Sequence, residues 1–465
     1  MMLKCLNFNG TTEGLLDIFA GGRHAFLLDS SLADVVRGRY SVIGSDPFEI
    51  VQGSGKDTVH QLRKKYSAYQ RDKHSAPIPL VDGMVGYFGY DLGLYPENIK
   101  KITVNDLHLP DAFFGFYDCL LTIDHWEKKL YISSTGLPEK DERLRKLRAQ
   151  ERLAYVESKL AEYLNRPARP RETTENNQAQ PRFDCNFTQE AYLRAVNKAL
   201  EYIRQGDIYQ VNLSQRFSLE KQGHASSATE VYRLLKAMSP SCFSGFLDCG
   251  DFQIISSSPE RFLKLSNGLV QTQPMKGTRP RGKNDSEDRK IRQEIFQSEK
   301  DKAELLMITD LERNDLGKVC EYGSVCVKDM RAIEAYKTVF QAVSTVEGKL
   351  RKDKDIFDLI EACFPSGSVT GCPKIRAMQV IEELEPTRRG MYTGSLGYID
   401  FSGEADFNIL IRTVLSTPSH WHFQAGGGIV ADSNPLDEYN ETLVKAHAMK
   451  NCLIQAHQRV QAAVC

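Results

Sequence analysis

"DFQIISSSPERFLKLSNGLVQTQPMKG", residues 251–277, is the stretch that decides the fold. Two apolar-patterned runs flank Ser266-Asn267-Gly268. An Asn-Gly pair between such runs is the strongest short-range hairpin signal, because both residues tolerate the positive φ that a two-residue turn demands. With Asn267-Gly268 as the turn, Ser266 pairs with Leu269, and Glu260 falls opposite Met275, next to Lys276. A bulge shifts that register by one. In either register, local geometry brings Glu260 and Lys276 into one neighbourhood.

Upstream, "IYQVNLSQRFSL" reads as a strand. Before it lies the helix "QEAYLRAVNKALEYIRQG", N-capped by Thr188 and closed by Gly206. Downstream come helices in "KDKAELLMITDLERNDLG" (helix, then turn), "DIFDLIEACFPSG" and "GCPKIRAMQVIEELE". They are followed by a hairpin in "GSLGYIDFSGEADFNILIRTVLS", a strand into a glycine turn in "WHFQAGGGIV", and a last helix from about Pro435. These patterns fill a region over 185–460. A first region, 1–165, has strands in "RHAFLLDSS" and "RYSVIGSDPFEIVQGSG". It closes on an amphipathic helix from Glu139 to Leu164, with Leu144, Leu147, Leu153, Val156, Leu160 and Leu164 on one apolar face. Between the two regions, residues 166–184 are proline-rich and polar, a linker or exposed loop.

The 465 residues are 41% hydrophobic and 26% charged, a soluble globular composition with room for a large core. That length suits two or three domains, or one large α/β domain. Lys+Arg total 60 and Asp+Glu 61, so nothing in the charge asks for nucleic acid or an anionic membrane as partner. The 11 cysteines include no CxxC pair and read as idle thiols of a reducing cytoplasm. The N-terminus lacks a basic-then-apolar leader, and no run approaches the ~20 apolar residues of a membrane span.

Several side chains carry candidate chemistry. Asp301 and Glu304 sit three apart on one helical face, as do Glu438 and Glu441 on another. Such like-charged pairs repel. They are either solvated faces or, if the two helices meet, oxygen donors for a hard cation such as Mg²⁺. Gly426, Gly427 and Gly428 follow a strand and suit either a tight turn or a close approach of backbone N–H groups to an anion. Arg412 lies in the apolar run "ILIRT" and needs a carboxylate, from the protein or from a ligand. Tyr392 is a hydrogen-bond donor or a core residue. Lys276, with an ordinary pKa of about 10.4, is a surface charge unless burial or a neighbouring cation lowers it.

Taken together, the motifs identify a resemblance. From about Phe26 to Lys445 the chain resembles the chorismate-utilising enzymes. The matching stretches include "FLLDSS", "GRYSVIGSDPF", "GYFGYD", "GDIYQVNLSQRF", "SSSPERFL", "QPMKGTRPRG", "KDKAELLMITDLERNDLG", "PSGSVTGCPKIRAM", "YTGSLGY", "IRT", "GGGIVADS" and "EYNETLVKA". The resemblance implies an α/β (α+β) fold, a large sandwich of two sheets with helices outside. It implies Mg²⁺ held by Glu304 and Glu441, with Asp301 and Glu438 behind them through water. The family usually has Glu where this chain has Asp301. Tyr392, Arg412 and the backbone of Gly427 and Gly428 match the binders of chorismate's carboxylates, with Ser368, Gln341 and Lys445 beside them. Glu260 matches the acid that protonates the departing 4-hydroxyl.

Two positions, Gln210 and Lys276, discriminate within the family, and a third, Gln341, departs from it. Isochorismate and salicylate synthases carry a lysine base where this chain has Gln210, which sets those reactions aside. Anthranilate synthases usually read P-I-A-G-T, whereas "PMKGT" resembles the aminodeoxychorismate synthase form, in which the lysine can attack chorismate C2. Gln341 replaces a usual histidine; a glutamine binds by hydrogen bonds but carries no proton at neutral pH. The expectation is amination of chorismate to 4-amino-4-deoxychorismate. With no glutaminase signature in the chain, ammonia would come from a separate glutamine amidotransferase subunit. The alternatives are anthranilate formation and an inactive metabolite-binding relative. In some relatives the N-terminal region binds tryptophan.

Overall fold

The computed structural model describes residues 1–31, 38–165, 181–221, 226–335 and 339–464. The Asn-Gly turn forms as the sequence asks. Asn267 and Gly268 take φ of +54° and +74°, and Ser266 pairs with Leu269, Leu265 with Val270 and Lys264 with Gln271.

Two large antiparallel sheets, of 12 and 10 strands, make the frame. The larger places Phe26–Asp29, Phe243–Asp248, Gln253–Ser258, Thr413–Ser416, His420–Ile429 and Gln210–Glu220 side by side. The smaller runs from Met275–Pro280 through Val339–Lys349, Leu269–Thr272, Arg261–Ser266, Ala405–Asn408 and Ser395–Asp400 to Gly83–Phe88. Strands from both sequence regions share both sheets.

Burial explains the layering. Phe26, Val42, Leu247, Ile254 and Leu415 of the larger sheet meet Val85, Tyr87, Phe113 and Leu396 of the smaller, so this cluster fills the space between them. Helices cover the outer faces. Leu15, Val156, Leu235 and Leu453 pack on Leu121, Phe246 and Phe423 of the larger sheet. Leu62, Phe357 and Leu316 pack on Met84, Phe116 and Val346 of the smaller. Each wholly buried side chain of this size contributes about 1.5–3 kcal/mol. The result is the two-sheet sandwich with outer helices.

Four local expectations need correction. Gly426, Gly427 and Gly428 form no turn: they lie inside the strand His420–Ile429, opposite Ser214, Leu213 and Asn212. Arg412 is in no strand. It sits at φ +50° in the segment that leaves Ala405–Asn408 of one sheet for Thr413–Ser416 of the other. The helix Glu299–Gly317 continues through "ERND" where a turn was expected. In the helix Glu142–Asn165 the buried residues are Ala149, Val156 and Leu160, whereas Leu144, Leu147 and Leu164 are exposed. At about 100° per residue, Leu144 and Leu147 lie about 140–160° round the helix from Ala149, on the face opposite Val156 and Leu160, and Leu164 stands in the last turn.

Thr188 caps Gln189–Arg204 by accepting from the Ala191 amide, and Gly206 follows at φ +82°. Most of the expected linker, residues 166–180, lies outside the described residues. Asp184–Cys185 pairs with Phe217 and Ser218. Among the described residues no disulfide joins the cysteines and no helix is long and apolar enough to cross a membrane.

Candidate active site

Pro259 and Glu260 cross from Gln253–Ser258 of the larger sheet to Arg261–Ser266 of the smaller. The Glu260 carbonyl accepts from Ile409 N–H at 3.0 Å, which fixes this crossing against the one that carries Arg412. The Glu260 side chain is 4% exposed, and its Oε1 makes no hydrogen bond. Burial pushes its pKa from 4.5 up to about 7; nearby Glu312 adds to the rise, while Ser368, Lys276 and the Met275 amide oppose it. A carboxyl in that state can hold a proton at neutral pH and release it to a substrate.

Lys276 comes from the smaller sheet. It pairs with Ala342, and a bulge follows between Lys276 and Thr278, with Gly277 at φ +68°. Bulges of this kind re-aim a side chain. The ammonium reaches the larger sheet: a Cβ added to Gly428 would lie 3.6 Å from Lys276 Nζ and 2.5 Å from Gln210 Nε2. Lys276 keeps partial exposure toward the cleft. Its pKa falls below 10.5 because of burial first and Lys445 second, against Glu304, Glu260 and Glu441. The sequence-inferred meeting of Glu260 and Lys276 therefore stands, along with a ring of charges that only the fold could supply.

The glycine strand is the opposite wall. Gly427 faces Glu438 and Glu441, whose carboxylate oxygens would lie 3.1 and 3.5 Å from a Cβ there. Lys445 donates to the Gly426 carbonyl at 3.0 Å and pairs with Glu441 at 2.6 Å. Burial tends to raise Glu441, but Lys445, Lys276 and Lys300 together hold it below the usual glutamate value. Glu438 moves the other way, raised by burial and by Glu441, against the hydroxyl of Ser433. Asp301 packs on Gly277 and is paired with Arg279 at 3.0 Å.

Tyr392 is buried, and burial raises its hydroxyl well above 10, so it stays a neutral donor. Thr393 N–H donates to Leu410 carbonyl at 2.9 Å, which ties Tyr392 to the Arg412 crossing. Ser368 is buried against Glu260, and Gln341 is buried on the strand beside Lys276, opposite Thr278.

The residues expected to hold Mg²⁺ do not close into a cage. Among the described residues no group of three His, Cys, Asp or Glu side chains comes close enough to hold a metal unaided. What is present is a mutually repelling pair, Glu438 and Glu441, and Glu304 close enough to act on Lys276. Mg²⁺ usually keeps several waters and takes one or two carboxylates plus ligand oxygens, so this sparse all-oxygen donor set fits a hydrated Mg²⁺.

Three site residues escaped prediction from sequence. Gln210, used only as a discriminator, is fully buried with neither polar side-chain atom hydrogen-bonded. Glu312 and Ser366 lie behind Glu260, and the signal for Glu312 was its place two helical turns beyond Glu304 in the same helix. A separate cavity of about 510 Å³ lies between the sheets, lined by Asp29, Arg39, Tyr40, Trp126, Phe243 and Arg261 among others. None of the expected site residues lines it.

Comparison with known proteins agrees with this geometry. Residues 24–451 match the family of chorismate binding enzymes. Aminodeoxychorismate synthase component 1 of Bacillus subtilis (strain 168) is 38% identical over 93% of this chain and 92% of its own length. Anthranilate synthase component 1 of Thermus thermophilus is 39% identical over 91% of each. The crystal structure of anthranilate synthase component I from Streptococcus pneumoniae TIGR4 superposes with a TM-score of 0.77 at 32% identity, covering 90% of this chain and 94% of that one. A match over residues 24–451, the two-sheet frame and the gathering of Glu260, Lys276 and the glycine strand lead to one assignment: the chain belongs to the chorismate binding enzymes and is a chorismate-utilising enzyme.

Proposed function

We propose that the chain is component I of an aminodeoxychorismate synthase, which replaces the 4-hydroxyl of chorismate by an amino group drawn from ammonia. The observation that carries this reading is Lys276, placed within reach of the glycine strand with its charged form disfavoured by burial. Glu260, protonated near neutral pH, gives its proton to the 4-hydroxyl oxygen, which leaves as water. The Lys276 amine forms a bond to C2 as both ring double bonds shift round the ring and the C4–O bond breaks. Ammonia then adds at C4, the bond to Lys276 breaks, and Lys276 departs as the free amine. Tyr392, Arg412, Ser368, Lys445 and the N–H groups of Gly427 and Gly428 bind the substrate's carboxylates. Gln341 hydrogen-bonds but moves no proton, so it does not promote loss of the enolpyruvyl group.

Glu304 and Glu441 would hold Mg²⁺, with Asp301 and Glu438 reaching it through water. The ion supplies a positive charge that orients a chorismate carboxylate. In this reading ammonia comes from a glutamine amidotransferase subunit, and the enzyme works in the cytoplasm on the route to p-aminobenzoate and folate. The cavity walled by Tyr40, Trp126 and Phe243 is the place where tryptophan would bind. Calorimetric titration tests that point, and the absence of heat with tryptophan would remove it.

Incubation with chorismate, Mg²⁺ and ammonium, followed by product identification, tests the main reading. Aminodeoxychorismate is expected. Fluorescent anthranilate would replace this reading by anthranilate synthase, to whose component 1 the chain is equally similar. No turnover would point to an inactive binding relative.

A further inference from the structure

We infer that Glu312 is a second proton-holding carboxyl of the active site, joined to Glu260 through the hydroxyls of Ser366 and Ser368. The inference rests on the proposed role of Glu260 as the acid for the departing hydroxyl.

Hydrogen bonds join Glu312, Ser366 and Ser368, and the Ser368 hydroxyl acts on Glu260. Ser366 Oγ donates to Glu312 Oε1 at 3.0 Å, and Gly367 N–H donates to the same oxygen at 3.1 Å. The Ser366 and Ser368 hydroxyl oxygens are 3.1 Å apart, and either can donate. Ser368 faces the Glu260 carboxyl. Glu312 is 0% exposed, Glu260 4%, and both serines 5%, so water does not compete with the connection. At each end one carboxyl oxygen, Glu312 Oε2 and Glu260 Oε1, is buried with no hydrogen bond. A bare carboxylate oxygen in such a place is costly, whereas a protonated carboxyl is tolerated.

The surroundings of Glu312 agree. The cation that acts most strongly on it is Lys374, whose three donors are spent elsewhere, on Asp315 and on the carbonyls of Cys363 at 2.8 Å and Pro365 at 2.7 Å. Asp315 on its own helix, Glu260 across the serines and the neutral thiol of Cys363 complete the groups that face it. Burial pushes Glu312 up to about 7, Asp315 adds to the rise, and Lys374, Ser366 and Gly367 oppose it.

Once the Ser366 hydroxyl turns from Glu312 toward Ser368, so that Glu312 donates to it, proton movement along this path conserves every group. Glu260 loses its proton to the leaving oxygen. Ser368 passes its hydroxyl proton to Glu260, Ser366 passes its own to Ser368, and Glu312 passes its own to Ser366. Both serines end as hydroxyls, and one proton has moved from Glu312 to Glu260. Addition of ammonia leaves one surplus proton on nitrogen, and that proton restores the pair. Glu312 touches no substrate and is a positioning residue for the proton.

Glu312→Gln and Ser366→Ala, each in the full chain, test the connection by kcat, KM and the pH profile of chorismate turnover with Mg²⁺ and ammonium. Both variants should lose about 10-fold or more in kcat with KM unchanged. For Glu312→Gln the alkaline limb of kcat should move to lower pH, because the charge that raises Glu260 is gone. Infrared spectra of the folded protein near neutral pH should lose one protonated-carboxyl band in Glu312→Gln and show the other displaced. Wild-type kcat and an unshifted profile in both variants would overturn the connection. If Glu312→Gln does not fold, Ser366→Ala decides alone, since it breaks the path without touching a buried charge. If the wild-type enzyme makes another product or none, the proposed function fails, and the infrared comparison still decides whether the two carboxyls share protons.

Discussion

Replacement of Glu260 by Gln should make the protein more stable above neutral pH while greatly slowing its reaction. The folded pKa of Glu260 is raised from 4.5 to about 7, chiefly by burial. A group raised in this way contributes its full stability below the unfolded value, and that contribution is lost as pH rises through the folded value. At about 1.36 kcal/mol per pKa unit, the wild type gives up about 3 kcal/mol between pH 4.5 and about pH 7. Glutamine has the same shape, can still accept from the Met275 amide and cannot ionise. Urea unfolding of wild type and variant should therefore differ little near pH 4.5 and by about 3 kcal/mol in favour of the variant near pH 8. Chorismate turnover should fall by about 10²–10⁴-fold, the usual weight of a general acid. An equal stability difference at both pH values would refute the reasoning, because it would mean that Glu260 does not titrate in that window.

Lys276→Ala should slow amination by at least about 10³-fold if attack goes through a lysine adduct; an unchanged rate rules that route out. Glu441→Gln should weaken Mg²⁺-dependent chorismate binding in a calorimetric titration and alter stability little, since its pair with Lys445 is about half exposed at 49% and 47%. An unaltered Mg²⁺ titration would move the metal elsewhere. Gly428→Ala would set a methyl 2.5 Å from Gln210 Nε2 and 3.6 Å from Lys276 Nζ. It should cut kcat about 10-fold or more through displacement of the Gln210 amide that lies beside Lys276; full activity would show that the placement of Gln210 does not matter to the reaction.

What could be read from sequence follows the range of the forces involved. The Asn267-Gly268 turn, the Thr188 cap and the Gly206 stop are set by neighbours in the chain, and all three were legible. The placement of Gly426, Gly427 and Gly428 was not. Three glycines look like a turn until Ser214, Leu213 and Asn212, more than 200 residues earlier, pair with them as a strand. Arg412 was misplaced for the same reason. Its apolar neighbours suggested a strand, yet the chain there must change sheets, and the residue absorbs the change at φ +50°. Leu144 and Leu147 recur at helix-like intervals but fall on the face opposite Ala149, Val156 and Leu160, and which face is buried is decided by the sheet the helix packs on.

The charge state of the Glu260–Lys276 pair shows what the fold adds to the motif. A carboxylate with an ammonium, and a carboxylic acid with an amine, contain the same number of protons. In water the ionic form wins by many orders of magnitude, since ordinary pKa values differ by about six. Burial penalises both charges of the ionic form and neither group of the neutral one, so it moves the two pKa values toward each other: Glu260 up to about 7, Lys276 down. The chemistry proposed here needs the neutral form, an acid to protonate the hydroxyl and an amine to attack. Mutual attraction works against that form, and each residue is indeed held back by the other. Depth in the cleft outweighs the attraction at Glu260, and depth together with Lys445 does so at Lys276. The lysine in "QPMKGTRPRG" thus owes its lowered pKa less to its neighbours in sequence than to the fold that buries it.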